Sequence, residues 1–160
     1  MLGYLKAWWY ERARRKRLEQ HLVAYDQDLK LYPDDPTIHY GRGLALAELG
    51  QSAEALASYD RALELHLYSP DAHYNRGLVL AELERHEEAL VAFDRALELR
   101  PDDPDTHQVR GTALMRLQRR EEALVAYNRA RELRPDDPDT YFNRGLALLL
   151  LDRPAEALVA

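Results

Sequence analysis

The sequence predicts an all-α solenoid of stacked helical hairpins, and three observations carry that prediction. The first is a fixed period. Pro36, Pro70, Pro104 and Pro138 stand 34 residues apart, as do Gly43, Gly77, Gly111 and Gly145, and again Ala55, Ala89, Ala123 and Ala157. The second is that each period holds two amphipathic helical patterns. The third is a stop between periods, Pro101-Asp102-Asp103-Pro104 and Pro135-Asp136-Asp137-Pro138. A constant spacing of this size marks an array of helix–turn–helix units. No segment alternates apolar and polar residues with period two, so no strands are expected.

The first helix of each unit opens at the proline. Pro suits the first helical position because its missing N–H has no partner there anyway, and the preceding Asp suits the N-cap. In the first clear unit this helix carries small or apolar residues at Gly43, Leu44, Leu46, Ala47 and Leu49. After a polar turn, Gly50-Gln51-Ser52, the second helix carries Ala55, Leu56, Tyr59, Ala62, Leu63 and Leu65 at the i, i+3, i+4, i+7 spacing of a half-buried helix. Gly43 and Ala55 recur where the two helices of a hairpin approach most closely, and Ala62 recurs where the next hairpin docks. Tyr59, Phe93 and Tyr127 are the bulky partners. A hairpin this short cannot bury its apolar face alone, so its neighbours must stack on it.

Composition closes off several classes of function. The 160 residues carry a net charge of −6, which disfavours nucleic acid as a partner. Without cysteine there is no disulfide scaffold, thiolate zinc site or cysteine nucleophile. No apolar run approaches the ~20 residues a membrane span needs. Glycine-rich phosphate loops, Ser/His/Asp constellations and isolated carboxylate pairs are absent, so neither catalysis nor a cofactor is expected. His39, His73 and His107 form a ladder with spacing 34, but side chains on successive repeats do not converge on one ion, so no metal is expected. The acidic corners at Asp102-Asp103-Asp105 and Asp136-Asp137-Asp139 lack the glycine turn and terminal Glu of a calcium loop and read as helix caps. Arg42, Arg76, Arg110 and Arg144 form a second ladder, expected to pair with acids on their own or neighbouring hairpins.

With small residues at positions eight, twenty and twenty-seven, an aromatic at twenty-four and Pro at thirty-two, the unit resembles the tetratricopeptide repeat. The resemblance divides the chain into units 36–69, 70–103 and 104–137 and a truncated unit 138–160, with Leu67 replacing the usual Pro in the first. Residues 18–35 align with the second half of a unit, where His21 and Asp28 replace small residues and predict less regular packing. The resemblance implies a right-handed superhelix whose first helices line a concave groove for a peptide or partner helix. On that basis the expected contacts are Tyr40, Leu44, Tyr74, Asn75, Leu78, Gln108, Phe142 and Asn143. The alternative is that some of these pack between adjacent helices. The carboxylate clamp of chaperone-binding members is not matched. Tyr40, Asp105 and Val109 stand where cations belong, Leu44 stands where an Asn belongs, and only Asn75 fits.

Residues 1–17 break the pattern, with Lys6, Arg12, Arg14, Arg15, Lys16 and Arg17 against one acid, Glu11. Three readings stay open for this helix: a cap on the first hairpin, a tether to an anionic membrane surface, or a contact to nucleic acid or another acidic partner. In the latter two, Trp8, Trp9, Arg12, Arg14, Arg15, Lys16 and Arg17 make the contact. At the other end Leu148, Leu149, Leu150 and Leu151 are unusually apolar. That end is expected to be either a fragment boundary or a self-association face. The sequence thus predicts a non-catalytic scaffold for a protein or peptide partner, located in the cytoplasm or peripheral to a membrane.

Overall fold

The computed structural model describes residues 2–66 and 68–157, and the surroundings of side chains from residue 8 onward. Leu67, the side chains of Leu2, Leu5 and Lys6, and the last three residues of the truncated unit lie outside the described residues. The chain divides into two compact units, Met1–Tyr68 and Ser69–Ala160. The first holds α1 (Leu2–Leu31), α2 (Pro36–Glu48) and α3 (Ser52–Glu64). The second holds α4 (Pro70–Glu82), α5 (His86–Leu99), α6 (Pro104–Arg116), α7 (Arg120–Leu133), α8 (Pro138–Leu150) and the short α9 (Pro154–Ala157). Among the described residues every regular element is helical, as the sequence predicts, and in each unit consecutive helices pack side by side.

The helices start where the sequence places caps. Asp35 accepts the N–H of Thr37, Asp103 that of Thr106, Asp137 that of Thr140, and Ser69 that of Ala72. Each of these satisfies one of the orphan donors at a helix N-terminus. The turns inside the hairpins share a second device. Gly50, Glu84, Gln118 and Asp152 all adopt positive φ, between 57° and 73°. The next residue's N–H returns to a carbonyl five residues back, as in Gln51 to Leu46 and Arg85 to Leu80, both at 2.9 Å. This is the left-handed C-terminal cap that glycine fits best, yet only the first hairpin uses glycine for it.

The small residues set the hairpin packing. A Cβ added to Gly43 would lie 2.6 Å from the Tyr59 ring, one on Gly111 would lie 2.6 Å from the Tyr127 ring, and Gly77 stands in the same relation to Phe93. These rings are fully or almost fully buried, as are Ala55, Ala62, Ala89, Ala96, Ala123 and Ala130. In the second unit Leu90, Leu114, Tyr127 and Ala147 form one continuous core, with Met115 and Leu117 against it.

Arg42, Arg110 and Arg144 of the arginine ladder each bond a side chain of the preceding repeat. Arg42 donates to Asp26 and to Ser58 Oγ, both at 2.8 Å, and Arg110 donates to Asp94 at 2.6 Å. In the last copy the acid is replaced, so Arg144 donates to the Asn128 carbonyl oxygen at 2.7 Å. Arg144 is buried, and one of its guanidinium nitrogens, Nη1, has no partner among the described residues. Burial, and then the nearby Arg131, pull its pKa down. His39 and His107 each bond the carbonyl of a turn proline, Pro33 and Pro101, at 2.8 Å. These two rungs of the histidine ladder thus tie the start of their helices to the preceding turn.

α1 runs without a break from Leu2 to Leu31, across the boundary at residue 17 where the sequence separates two segments. Its contact side is Leu18, Leu22, Tyr25 and Leu29, which are half-buried, whereas His21 and Asp28 are exposed. Tyr25 occupies the position in its segment that Tyr59 occupies in the next. It packs against Gly41 of α2, where an added Cβ would meet its hydroxyl oxygen at 2.7 Å.

Candidate functional site

In the second unit the first helices of successive hairpins, α4, α6 and α8, bound two clefts that repeat with the period of the sequence. One, of about 360 Å³, lies among Leu78, Ala81 and Glu82 of α4, His86 and Phe93 of α5, and Val109, Thr112, Ala113 and Arg116 of α6. The other, of about 410 Å³, lies among Thr112, Met115 and Arg116 of α6, Tyr127 of α7, and Asn143 and Leu146 of α8. Each therefore has walls from positions nine and twenty-four of a repeat, a charged residue at position thirteen (Glu82 in the first, Arg116 in the second) and a wall from the following first helix. Thr112 and Arg116 belong to both.

The polar groups in these clefts are few and placed on a rigid frame. Thr112 Oγ1 lies 3.2 Å from the Tyr127 hydroxyl. Burial raises the Tyr127 phenol above its usual pKa, so it stays a neutral hydrogen-bonding group. The Tyr74 phenol is raised for the same first cause, with Asp105 and Asp103 adding to it. His86 Nδ1 is buried without a hydrogen-bond partner among the described residues. A third cleft, of about 330 Å³, lies between α8 and α9 beside Gly145, lined by Phe142, Leu146 and Leu149.

The residues expected to make contacts fall into three groups. Leu78 and Asn143 line the clefts, and Phe142 stands 72% exposed on α8 beside the third. Tyr40 and Tyr74 are half-buried against the rings of their own hairpins, with centroids 5.9 Å from Tyr59 and 6.3 Å from Phe93. Leu44, Asn75 and Gln108 are half-buried on α2, α4 and α6, and none of the three lines a cleft described above. Arg116 was not among the expected contacts. The signal for it was a break in the repeat, since Glu48 and Glu82 hold the same position in the two preceding units.

At the N-terminus, Trp8 and Trp9 are exposed, and the Arg12 guanidinium lies 5.2 Å from the Trp8 ring centroid. Arg14 pairs with Glu48 of α2 at 2.8 Å and Arg15 with Glu19 at 3.1 Å. Lys16 and Arg17 are exposed. No helix among the described residues is long and apolar enough to cross a membrane. At the other end Leu148 belongs to the core, Leu151 is half-buried, and only Leu149 and Leu150 of the four leucines are exposed.

Hairpins of this geometry define the class, a helical repeat protein with clefts between first helices. The sequence matches the tetratricopeptide repeat over residues 10–70 and 45–104 and the TPR repeat over residues 111–152. The chain belongs to the tetratricopeptide repeat family. No curated protein matches the sequence. Among solved structures, it resembles MamA with a TM-score of 0.87 at 21% identity, over 92% of this chain and 86% of that one. It resembles YrrB, described as a TPR protein with an unusual peptide-binding site, with a TM-score of 0.83 at 28% identity over 91% and 75%. The first TPR of Spaghetti (RPAP3), bound to an HSP90 peptide, matches with a TM-score of 0.71 at 23% identity over 74% and 94%.

Proposed function

We propose that this protein is a non-catalytic interaction scaffold that holds a peptide or a partner helix on its first-helix face. The observation that carries this reading is the pair of clefts bounded by α4, α6 and α8, each offering an apolar wall and a few fixed polar groups. Apolar concavities with sparse polar groups are the usual form of a recognition site. The walls belong to packed helices, so a partner binds without the receptor losing much order. The peptide-binding site of YrrB supports the reading by likeness of family and fold. The contacts expected of this face are Tyr40 and Leu44 in the first unit, and Tyr74, Asn75, Leu78, Gln108, Phe142 and Asn143 in the second.

The test compares capture of partners from the source lysate by the full chain and by a Phe142→Ala, Asn143→Ala variant of equal helicity. A partner held by the first and lost by the second supports the reading. Equal retention of every partner contradicts it.

A second reading rests on α1, where exposed Trp8, Trp9 and Tyr10 stand beside Arg12, Lys16 and Arg17. Aromatic residues next to cations suit an anionic lipid surface. Co-sedimentation with vesicles containing phosphatidylserine, lost on Trp8→Ala and Trp9→Ala, is its expected outcome. No sedimentation of the full chain would remove it.

A further inference from the structure

We propose that the seam between α7 and α8 binds a phosphate group, held by Arg131, Arg144 and the Asn128 amide. None of the three lines a cleft described above, so this site stands apart from the first-helix face. Two departures from the repeat fall on one turn of α7. Asn128 stands where the two preceding units carry Asp60 and Asp94, and Arg131 stands where they carry Leu63 and Leu97. Residues three apart on a helix are neighbours. This turn has therefore lost a negative charge and gained a positive one.

α8 brings a third group to the same turn. Arg144 is 9% exposed, its Nε donates to Asn128 Oδ1 at 2.7 Å, and its buried Nη1 has no hydrogen-bond partner among the described residues. Its counterpart Arg42 shows both nitrogens in use, with Nε on Asp26 and Nη1 on Ser58 Oγ. Arg131 is half-buried and, among the described residues, bonds no acid. Burial first, and then the nearby Arg131, lower the Arg144 pKa, and Arg153 adds to this. The acid that acts on Arg144, Glu156, is already held through both oxygens by Arg153, at 2.7 and 2.8 Å. A buried cation beside a second cation is costly unless an anion joins them.

The chemistry of the three groups selects the anion. Two guanidinium forks offer planar sets of N–H donors and two uncompensated positive charges. A phosphate group brings about −1.5 to −2 charges and three acceptor oxygens, where a carboxylate brings one charge and two oxygens. The Asn128 amide nitrogen adds a donor at the place where Asp94, in the preceding unit, has a second carboxylate oxygen that would repel the ligand. Arg131 is only partly buried, so the seam is reached from solvent along its side chain.

The test melts the full chain in inorganic phosphate and in O-phosphoserine, each against chloride of equal ionic strength. Asn128→Asp and Arg131→Leu restore residues that the preceding units carry, so both are expected to fold. Lys30→Ala removes an exposed cation elsewhere and controls for net charge. At ten times the dissociation constant, the wild type and Lys30→Ala should melt roughly 3–6 °C higher. Asn128→Asp and Arg131→Leu should each weaken binding about tenfold or more. A larger rise with phosphate assigns the site to the free anion, and a larger rise with phosphoserine to a phosphorylated side chain; either supports the proposal. Equal rises in all four proteins would be the general effect of phosphate on burial and would overturn it, as would no rise at all. A second readout needs no variant. The side-chain Nε–H NMR signals of Arg131 and Arg144 should move as phosphate is added, while those of Arg129 and Arg134, already bound to Asp102 and Asp105, stay in place. Movement of the second pair without the first would contradict the assignment.

Discussion

Gly77 lies directly beneath the ring of Phe93, so close that a single added methyl group would overlap it. Gly43 stands in the same relation to Tyr59, and Gly111 to Tyr127. The repeat thus couples a missing side chain on the first helix of each hairpin to a large one on the second. Overpacking such a contact costs roughly 1–3 kcal/mol, while replacing glycine by alanine inside a helix returns about 1 kcal/mol. Gly77→Ala is therefore expected to lower stability on balance, read as a lower urea midpoint. A midpoint unchanged or raised would show that the Phe93 ring moves aside freely.

The hairpin turns carry a strain that the first one avoids. Gly50 occupies the left-handed cap without penalty, whereas Glu84 and Gln118 hold the same conformation with a side chain. The left-handed region costs a residue with a Cβ about 1 kcal/mol, offset in part by the greater unfolded freedom of glycine. Glu84→Gly is expected to raise the melting temperature slightly, and Gly50→Ala to lower it. The opposite signs would contradict the cap assignment.

Arg144 offers the complementary test. Its counterpart Arg110 bonds the carboxylate of Asp94, but Arg144 meets only the Asn128 amide and is buried. Asn128→Asp should stabilise the chain by about 1 kcal/mol by giving a desolvated cation its charge partner. Asp94→Asn should do the reverse. Chemical denaturation of both variants checks the pair, and a loss of stability in Asn128→Asp would refute the reasoning.

The ordered period made the fold legible in the sequence, because the features that build a hairpin recur in several copies. Proline starts, Asp35, Asp103 and Asp137 caps, and the Gly–ring pairs could each be read by comparing one copy with the next. Site chemistry was less legible for the same reason. Arg116 and Asn128 matter because they depart from their copies, and a search for recurrence passes over departures. Tyr40 and Tyr74 recur as aromatic residues near the expected surface, yet half of each is spent against Tyr59 and Phe93 within its own hairpin. The unbroken course of α1 was hidden by the change from basic to mixed composition near residue 17, which helix formation does not register.

Acid should loosen the array in a definite direction. Asp105 is held below its ordinary value of 3.8 by its hydrogen bonds to Arg134, and Glu88, Glu122 and Glu156 are lowered below 4.5 by Arg85, Arg119 and Arg153. A carboxylate whose folded pKa is depressed contributes stability above its unfolded pKa and loses it as pH falls through the folded value. The melting temperature should therefore be flat near neutrality and fall below about pH 4. Asp105→Asn should make that fall shallower. These pairs are exposed, so the effect of each is small. An acid limb identical in Asp105→Asn and the wild type would contradict the role given to the Asp105–Arg134 pair.

The most direct measurement of the central claim is hydrogen–deuterium exchange of the full chain with and without a saturating peptide selected on it. If the first-helix face binds the partner, new protection should concentrate in α6 and α8, around Thr112–Arg116 and Phe142–Leu146. Protection confined to α5 and α7, or to α1, with those segments unchanged, would place the binding surface elsewhere.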